Sequence, residues 1–184
     1  MPAGLRFGEE GREAADVDRR VLGQHTDELY DRFWLSPVAA TGTATITRLN
    51  GRAPAQQFND AAASGCNWSV PVRDNWRNHH LRLTVYFASD VGSTNTFTIR
   101  TAAWAFGAAI DPANGRAIGD VTANYAGPAA ATTMLSFTLN LTASSVVTSQ
   151  TDNFLTIFVR RDGVGDANNN VFYLLGVMLE AYPA

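Results

Sequence analysis

Apolar and polar residues alternate one by one along much of this chain. In LRLTVYFA (81–88), Leu81, Leu83, Val85 and Phe87 share one phase, and Arg82, Thr84 and Tyr86 share the other. MLSFTLNLT (134–142) sets Leu135, Phe137, Leu139 and Leu141 against Ser136, Thr138 and Asn140. NFLTIFVRRD (153–162) aligns Leu155, Ile157 and Val159, and VFYLLGVMLEAY (171–182) aligns Tyr173, Leu175, Val177 and Leu179. NTFTIRTAAWAFGA (95–108) puts Phe97 and Ile99 on one face, and TGTATITRL (41–49) alternates through its threonines. Successive side chains of a strand point to opposite faces, so this period predicts strands with one face buried and one in solvent. Turn-forming clusters separate the runs: SDVGSTN, DPANGRAIGD and DGVGDANNN. Strands in succession without intervening helices predict an antiparallel jelly-roll β-sandwich. Its expected core includes Leu83, Val85, Phe137, Leu139, Ile157, Val159, Leu175 and Val177.

The N-terminal part follows a different period. EAADVDRRVLGQHTDELYDRFW (13–34) places Val17, Val21, Leu22, Leu29 and Phe33 on one broad helical face. Asp16 and Arg20, like Glu28 and Arg32, sit one helical turn apart with the acid first, the favourable order. Ser36-Pro37 ends the pattern. Residues 1–12 offer Leu5 and Phe7 among glycines and charges, too little apolar surface to fold alone. The expected organisation is mainly β: an N-terminal arm and one short α-helix over 1–37, then a jelly-roll domain over 38–184. The helix either packs on its own domain or serves attachment and oligomerisation.

Composition narrows the classes. The chain has 184 residues, 46% of them hydrophobic, enough for a full core in one domain. Charged residues are 17%, below the usual quarter, and threonine, asparagine, serine and glycine take their place. That suits sheets with neutral polar outer faces. The formal charge of −3 argues against a nucleic-acid surface, which needs a basic stripe. All 14 basic residues are arginine. Cys66 is alone, so neither an internal disulfide nor a cysteine metal cage is expected. The first twenty residues carry no apolar run of the secretory kind, and no segment nears a membrane span, so synthesis in the cytoplasm is expected.

CNWSVPVRDNW (66–76), then LRLTVYFASD, the WAF strand and the closing VRRDG…LLGVMLEAY resemble the small jelly-roll domains of tailed-bacteriophage virion proteins. The likeness spans roughly residues 64–183 and implies a structural role on a virion: capsid decoration (cement), head fibre or tail fibre. It implies no catalytic residues and no cofactor. It also implies a homotrimer that binds the major capsid protein at the capsid surface, without nucleic acid or membrane.

Candidate chemistry is sparse. His79 and His80 are adjacent, so on a strand their rings face opposite sides and do not chelate one ion. Asp162, Asp166, Asn168, Asn169 and Asn170 make an oxygen-rich loop, suited either to a cation or to a long hairpin turn. The carboxylates of Asp60, Asp74, Asp90, Asp111, Asp120, Asp152 and Glu180 are scattered, and nucleophile-elbow and phosphate-loop motifs are missing, so no enzyme is expected. Leu5, Phe7, Val21, Leu22, Leu29, Phe33 and Trp34 are the expected capsid or subunit contacts. For a fibre or spike gripping host glycans, Trp68, Trp76 and Trp104, with Tyr86 and Tyr125, are the candidate sugar-stacking rings.

Overall fold

The computed structural model describes residues 31–37, 40–41, 45–49, 51–59, 63–77, 79–107, 115–141, 152–163 and 165–183. Eleven strands run in chain order: β1 (Asp31–Leu35), β2 (Ala40–Thr41), β3 (Thr45–Leu49), β4 (Ala53–Phe58), β5 (Ala63–Pro71), β6 (His79–Ser89), β7 (Thr96–Phe106), β8 (Arg116–Ala126), β9 (Leu135–Asn140), β10 (Phe154–Asp162) and β11 (Phe172–Pro183). Among the described residues a 3-10 turn, Asp74–Trp76, precedes β6. The front sheet has the order β3-β4-β11-β6-β9, with β1 also on β11, and the back sheet has the order β2-β5-β10-β7-β8.

All pairings are antiparallel, and they nest. β4 pairs with β11, β5 with β10, β6 with β9 and β7 with β8. The chain is thus one long hairpin, turned between β7 and β8 and wrapped so that its successive pairs fall alternately in the two sheets. Two interlocked four-stranded sheets joined this way are a jelly roll.

The buried phase of each strand meets in one core. The front sheet supplies Leu81, Leu83, Val85, Phe87, Phe137, Leu139, Val177 and Leu179, and the back sheet supplies Phe97, Ile99, Leu155, Ile157 and Val159. Phenylalanines fill one end. Phe172 stacks on Phe58 and on Phe87, with centroids 5.7 and 4.9 Å apart, and meets Phe97 of the facing sheet edge-on at 5.2 Å. Rings in such geometry add to their area burial, and truncating one typically costs about 3–5 kcal/mol. Tyr125 stacks on Phe137 at 3.6 Å, and burial raises its phenol above the ordinary value.

Two expectations are corrected. Leu175 is half-buried, not core, whereas Leu174 is fully buried. The β11–β6 register shifts between Leu174 and Gly176, a bulge that adds one residue and reverses the phase. Before it Phe172 and Leu174 face inward; after it Val177, Leu179 and Ala181 do. The helix expected over 13–34 does not reach its last four residues. Asp31–Leu35 is strand β1, paired with Val177–Ala181, so the sandwich begins before residue 38. Residues 13–30 of that expectation lie outside the described residues. Tertiary pairing overrides local period here, since five residues carry little propensity of their own.

Candidate binding surfaces

The buried polar groups go into structure first. Arg161 continues the inward phase of Leu155, Ile157 and Val159, and its side chain is fully buried. Its Nε donates to Asp166 Oδ2 at 2.7 Å, and one terminal nitrogen donates to the Phe58 and Asn170 carbonyls at 3.1 and 2.6 Å. The other donates to Asp166 Oδ1 at 3.1 Å and to the Asn168 carbonyl. All five guanidinium donors are used. The guanidinium also lies over the Phe97 ring, 4.9 Å from its centroid. The oxygen-rich loop does close around a cation, but the cation is a side chain of the chain itself. Asn168 then donates from its amide to the Asn95 carbonyl, and Val171 N–H donates to Asp90 Oδ1, which ties this loop to the β6–β7 turn.

The expected stacking rings divide by burial. Trp68 is 6% exposed and Trp76 is 1% exposed; both belong to the core. Trp68 donates from Nε1 to the Ser36 carbonyl at 2.7 Å, which pins the segment after β1. Arg73 lies over the rings of Phe33 and Trp76, at 5.0 and 5.4 Å. Neither tryptophan can stack on a sugar outside the fold. Trp104 is half-buried on the outer face of β7, opposite Thr156 on β10 and near an exposed Phe154. Tyr125 is held against Phe137 and is not free to stack elsewhere. His79 donates from Nδ1 to the Arg77 carbonyl, 3.0 Å away, and the His80 ring lies 5.4 Å from that of Tyr182.

The expected capsid contacts divide too. Leu5, Phe7, Val21, Leu22 and Leu29 lie outside the described residues. Phe33 packs against the core. Trp34 points the other way and is 45% exposed. A Cβ at Gly176 would meet Trp34 Cζ2, Cε2 and Cη2 at 2.2, 2.7 and 2.7 Å. Near-equal distances to three consecutive ring atoms mean that the indole lies face-on over the glycine. Tyr86, paired with Gly176 across the sheet, has its ring 5.4 Å from Trp34 at 48°.

Beside this aromatic pair runs a row of charge. Glu180 accepts from Arg32 Nε at 2.8 Å and from Arg82 Nε at 2.9 Å. The three residues face one another across β1, β11 and β6. Hydroxyls lie on the other side: Thr84 and Thr138 are in contact at 3.1 Å, and Ser136 stands opposite Tyr86. On the back sheet Arg100 holds Asp120 through two hydrogen bonds of 2.9 and 2.6 Å, which lowers the Asp120 pKa. Among the described residues no cluster of three His, Cys, Asp or Glu side chains could hold a metal ion.

No protein-family model matches the chain, and no curated protein matches it in sequence. Among solved structures it is similar to the xylan-binding domain CBM22-1 from Paenibacillus barcinonensis Xyn10C, at 10% identity and TM-score 0.48, over 85% of this chain and 98% of that one. It is similar to a chain of infectious bursal disease virus, Gx strain, at 9% identity and TM-score 0.46, over 85% of this chain and 32% of that one. An arabinose-bound GH51 α-L-arabinofuranosidase gives 12% identity and TM-score 0.46, over 80% of this chain and 23% of that one. The chain thus spans a third or less of the last two. The nested strand pairing carries the fold assignment by itself.

Proposed function

We propose that this chain is a non-enzymatic structural protein of a tailed-phage virion, a capsid decoration (cement) protein. In this reading the jelly roll is the displayed body and the N-terminal region is the attachment element. One observation carries it. β1 is built into the front sheet against β11, a strand with partners on both sides, so the chain before residue 31 leads directly into a paired strand of the body. A pull on that segment is borne by a five-residue ladder. Leu5, Phe7, Val21, Leu22 and Leu29 are its apolar anchors, and Arg6, Arg12, Arg19 and Arg20 are donors suited to carboxylates of the major capsid protein. A standard interface needs about 800 Å² per partner, more than a rounded polar sandwich readily offers. Three copies per site, a homotrimer, would share that contact. A protein that binds only the assembled shell stabilises it by mass action.

The test is co-sedimentation with phage heads lacking the protein, after light scattering has set the oligomer. Full-length protein should bind as a trimer. Residues 31–184, one compact unit, should stay folded and fail to bind. Equal binding by both would remove the N-terminal region as anchor.

A second reading, a head- or tail-fibre module binding host glycans, is favoured by the exposed ring of Trp34. Copy number in purified virions separates the two. Stoichiometry near that of the shell protein supports decoration; one set per tail or vertex supports a fibre.

A further inference from the structure

We propose that Trp34 and Tyr86 form a carbohydrate-binding site on the outer face of the front sheet. It takes the C–H face of a pyranose unit in a neutral glycan. This deepens the glycan reading by giving it a site, and it holds whether the protein decorates a shell or ends a fibre.

The placement of Trp34 is the first ground. Its chain neighbours Phe33 and Leu35 turn toward the core, while its own ring lies on the sheet surface. The indole covers Gly176, and the residue as a whole remains 45% exposed, which leaves ring surface for a ligand. A ring held flat by the backbone loses little freedom when something stacks on it. Tryptophan and tyrosine join a large apolar face to a polar tip, which suits a ligand with an apolar C–H side and a hydroxyl rim.

The sheet itself makes room for that ring. β11 pairs with β4 over Phe172–Leu174 and with β1 over Val177–Ala181. Gly176 falls in the gap between them, at the bulge. Bulges recur beside functional sites because they re-aim side chains. The gap lets the indole reach across β11 to Tyr86. The two rings meet at 48°, so they form two walls of a shallow angle. Successive pyranoses of a glycan are likewise turned relative to one another.

The rim decides between ligand classes. The nearest charges are Arg32, Glu180 and Arg82, with the carboxylate already shared between two guanidinium groups. This row carries a net charge of only +1, too little to select an anionic ligand on an open surface, and the exposed Arg32 guanidinium can still donate to a hydroxyl. On the other side Thr84, Ser136, Thr138 and Asn140 supply neutral donors and acceptors. A protein hot spot surrounds its aromatic anchor with contacts that exclude water. Here the surround is mostly hydroxyl and amide, and Met178 is the main apolar addition.

Full-length protein is titrated with cellohexaose, xylohexaose, maltohexaose and chitohexaose, followed by calorimetry and tryptophan fluorescence. At least one should bind saturably, with a fluorescence change. Trp34→Ala should weaken that binding by about tenfold or more, and Trp34→Phe by less. Melting curves confirm that each variant is folded, and Trp34→Phe remains informative if Trp34→Ala is not. Binding by none of the four sugars overturns the proposal, and so does unchanged binding by Trp34→Ala. It is equally overturned if Trp34→Ala dissociates an oligomer in sedimentation velocity, since the face would then be a contact between copies. These titrations need no particle, so they fail or succeed independently of shell attachment.

Discussion

Five donors of one guanidinium decide how the β10–β11 loop closes. Arg161 and Asp166 are both fully enclosed, and each is the other's charge partner. Removing one leaves a buried charge alone, at a cost of about 3–5 kcal/mol. Asp166→Ala should therefore destabilise by about that amount in urea unfolding. Arg161→Met with Asp166→Ala should cost clearly less than the sum of the single changes, because the double variant strands no charge. Additive effects would mean that the pair does not act as a unit. The sequence held half of this. The oxygens of 162–170 were legible as suited either to a cation or to a long hairpin turn. The cation was legible too, since the alternation that buries Val159 reaches Arg161 two residues later. What no pattern reveals is that the loop folds back over its own strand end.

At the level of elements, β6, β7, β9 and β10 follow their alternation closely, because where a ladder is interrupted the extra residue falls in the partner, Leu175 in β11 and Ile118 in β8. β11 does not, and Gly176 was the available signal: an isolated glycine within a strand pattern marks a bulge or a close approach. Here it marks both. Its backbone is not left-handed, so a side chain is opposed only by the indole above it. Gly176→Val should destabilise by about 1–3 kcal/mol, as overpacking does. In a Trp34→Ala background most of that penalty should vanish, which thermal melts of the four proteins would register. A penalty that persists without the indole would place the conflict elsewhere. β1 was misread because a short strand carries little signal of its own. Its partner, Val177–Ala181, lies at the far end of the chain, where no local pattern can announce it. The meeting of two surface rings was hidden for the same reason. Trp34 and Tyr86 were each visible as aromatics, but only the β1–β11–β6 pairing brings them together, while Trp68 and Trp76 turn inward.

For the molecule as a whole, the nesting makes sequence distance large nearly everywhere. β7 and β8 are close along the chain, β5 and β10 are far apart, and β4 and β11 are farther still. Topologies of this kind fold slowly, in the millisecond-to-second class, because distant segments must meet before contacts reward them. The strand that completes the front sheet is also the last of the described strands in chain order. Until β11 has left the ribosome, β1, β4 and β6 wait with their hydrogen-bonding edges unmatched. A nascent chain therefore cannot complete this sandwich before β11 emerges, and until then its unpaired strand edges are open to aggregation. Deleting residues 172–184 should give insoluble or protease-sensitive product, although it removes few residues; a soluble, cooperatively melting truncation would contradict this. A chain that stops before β11 would then leave no damaged but usable copy to compete with the intact one.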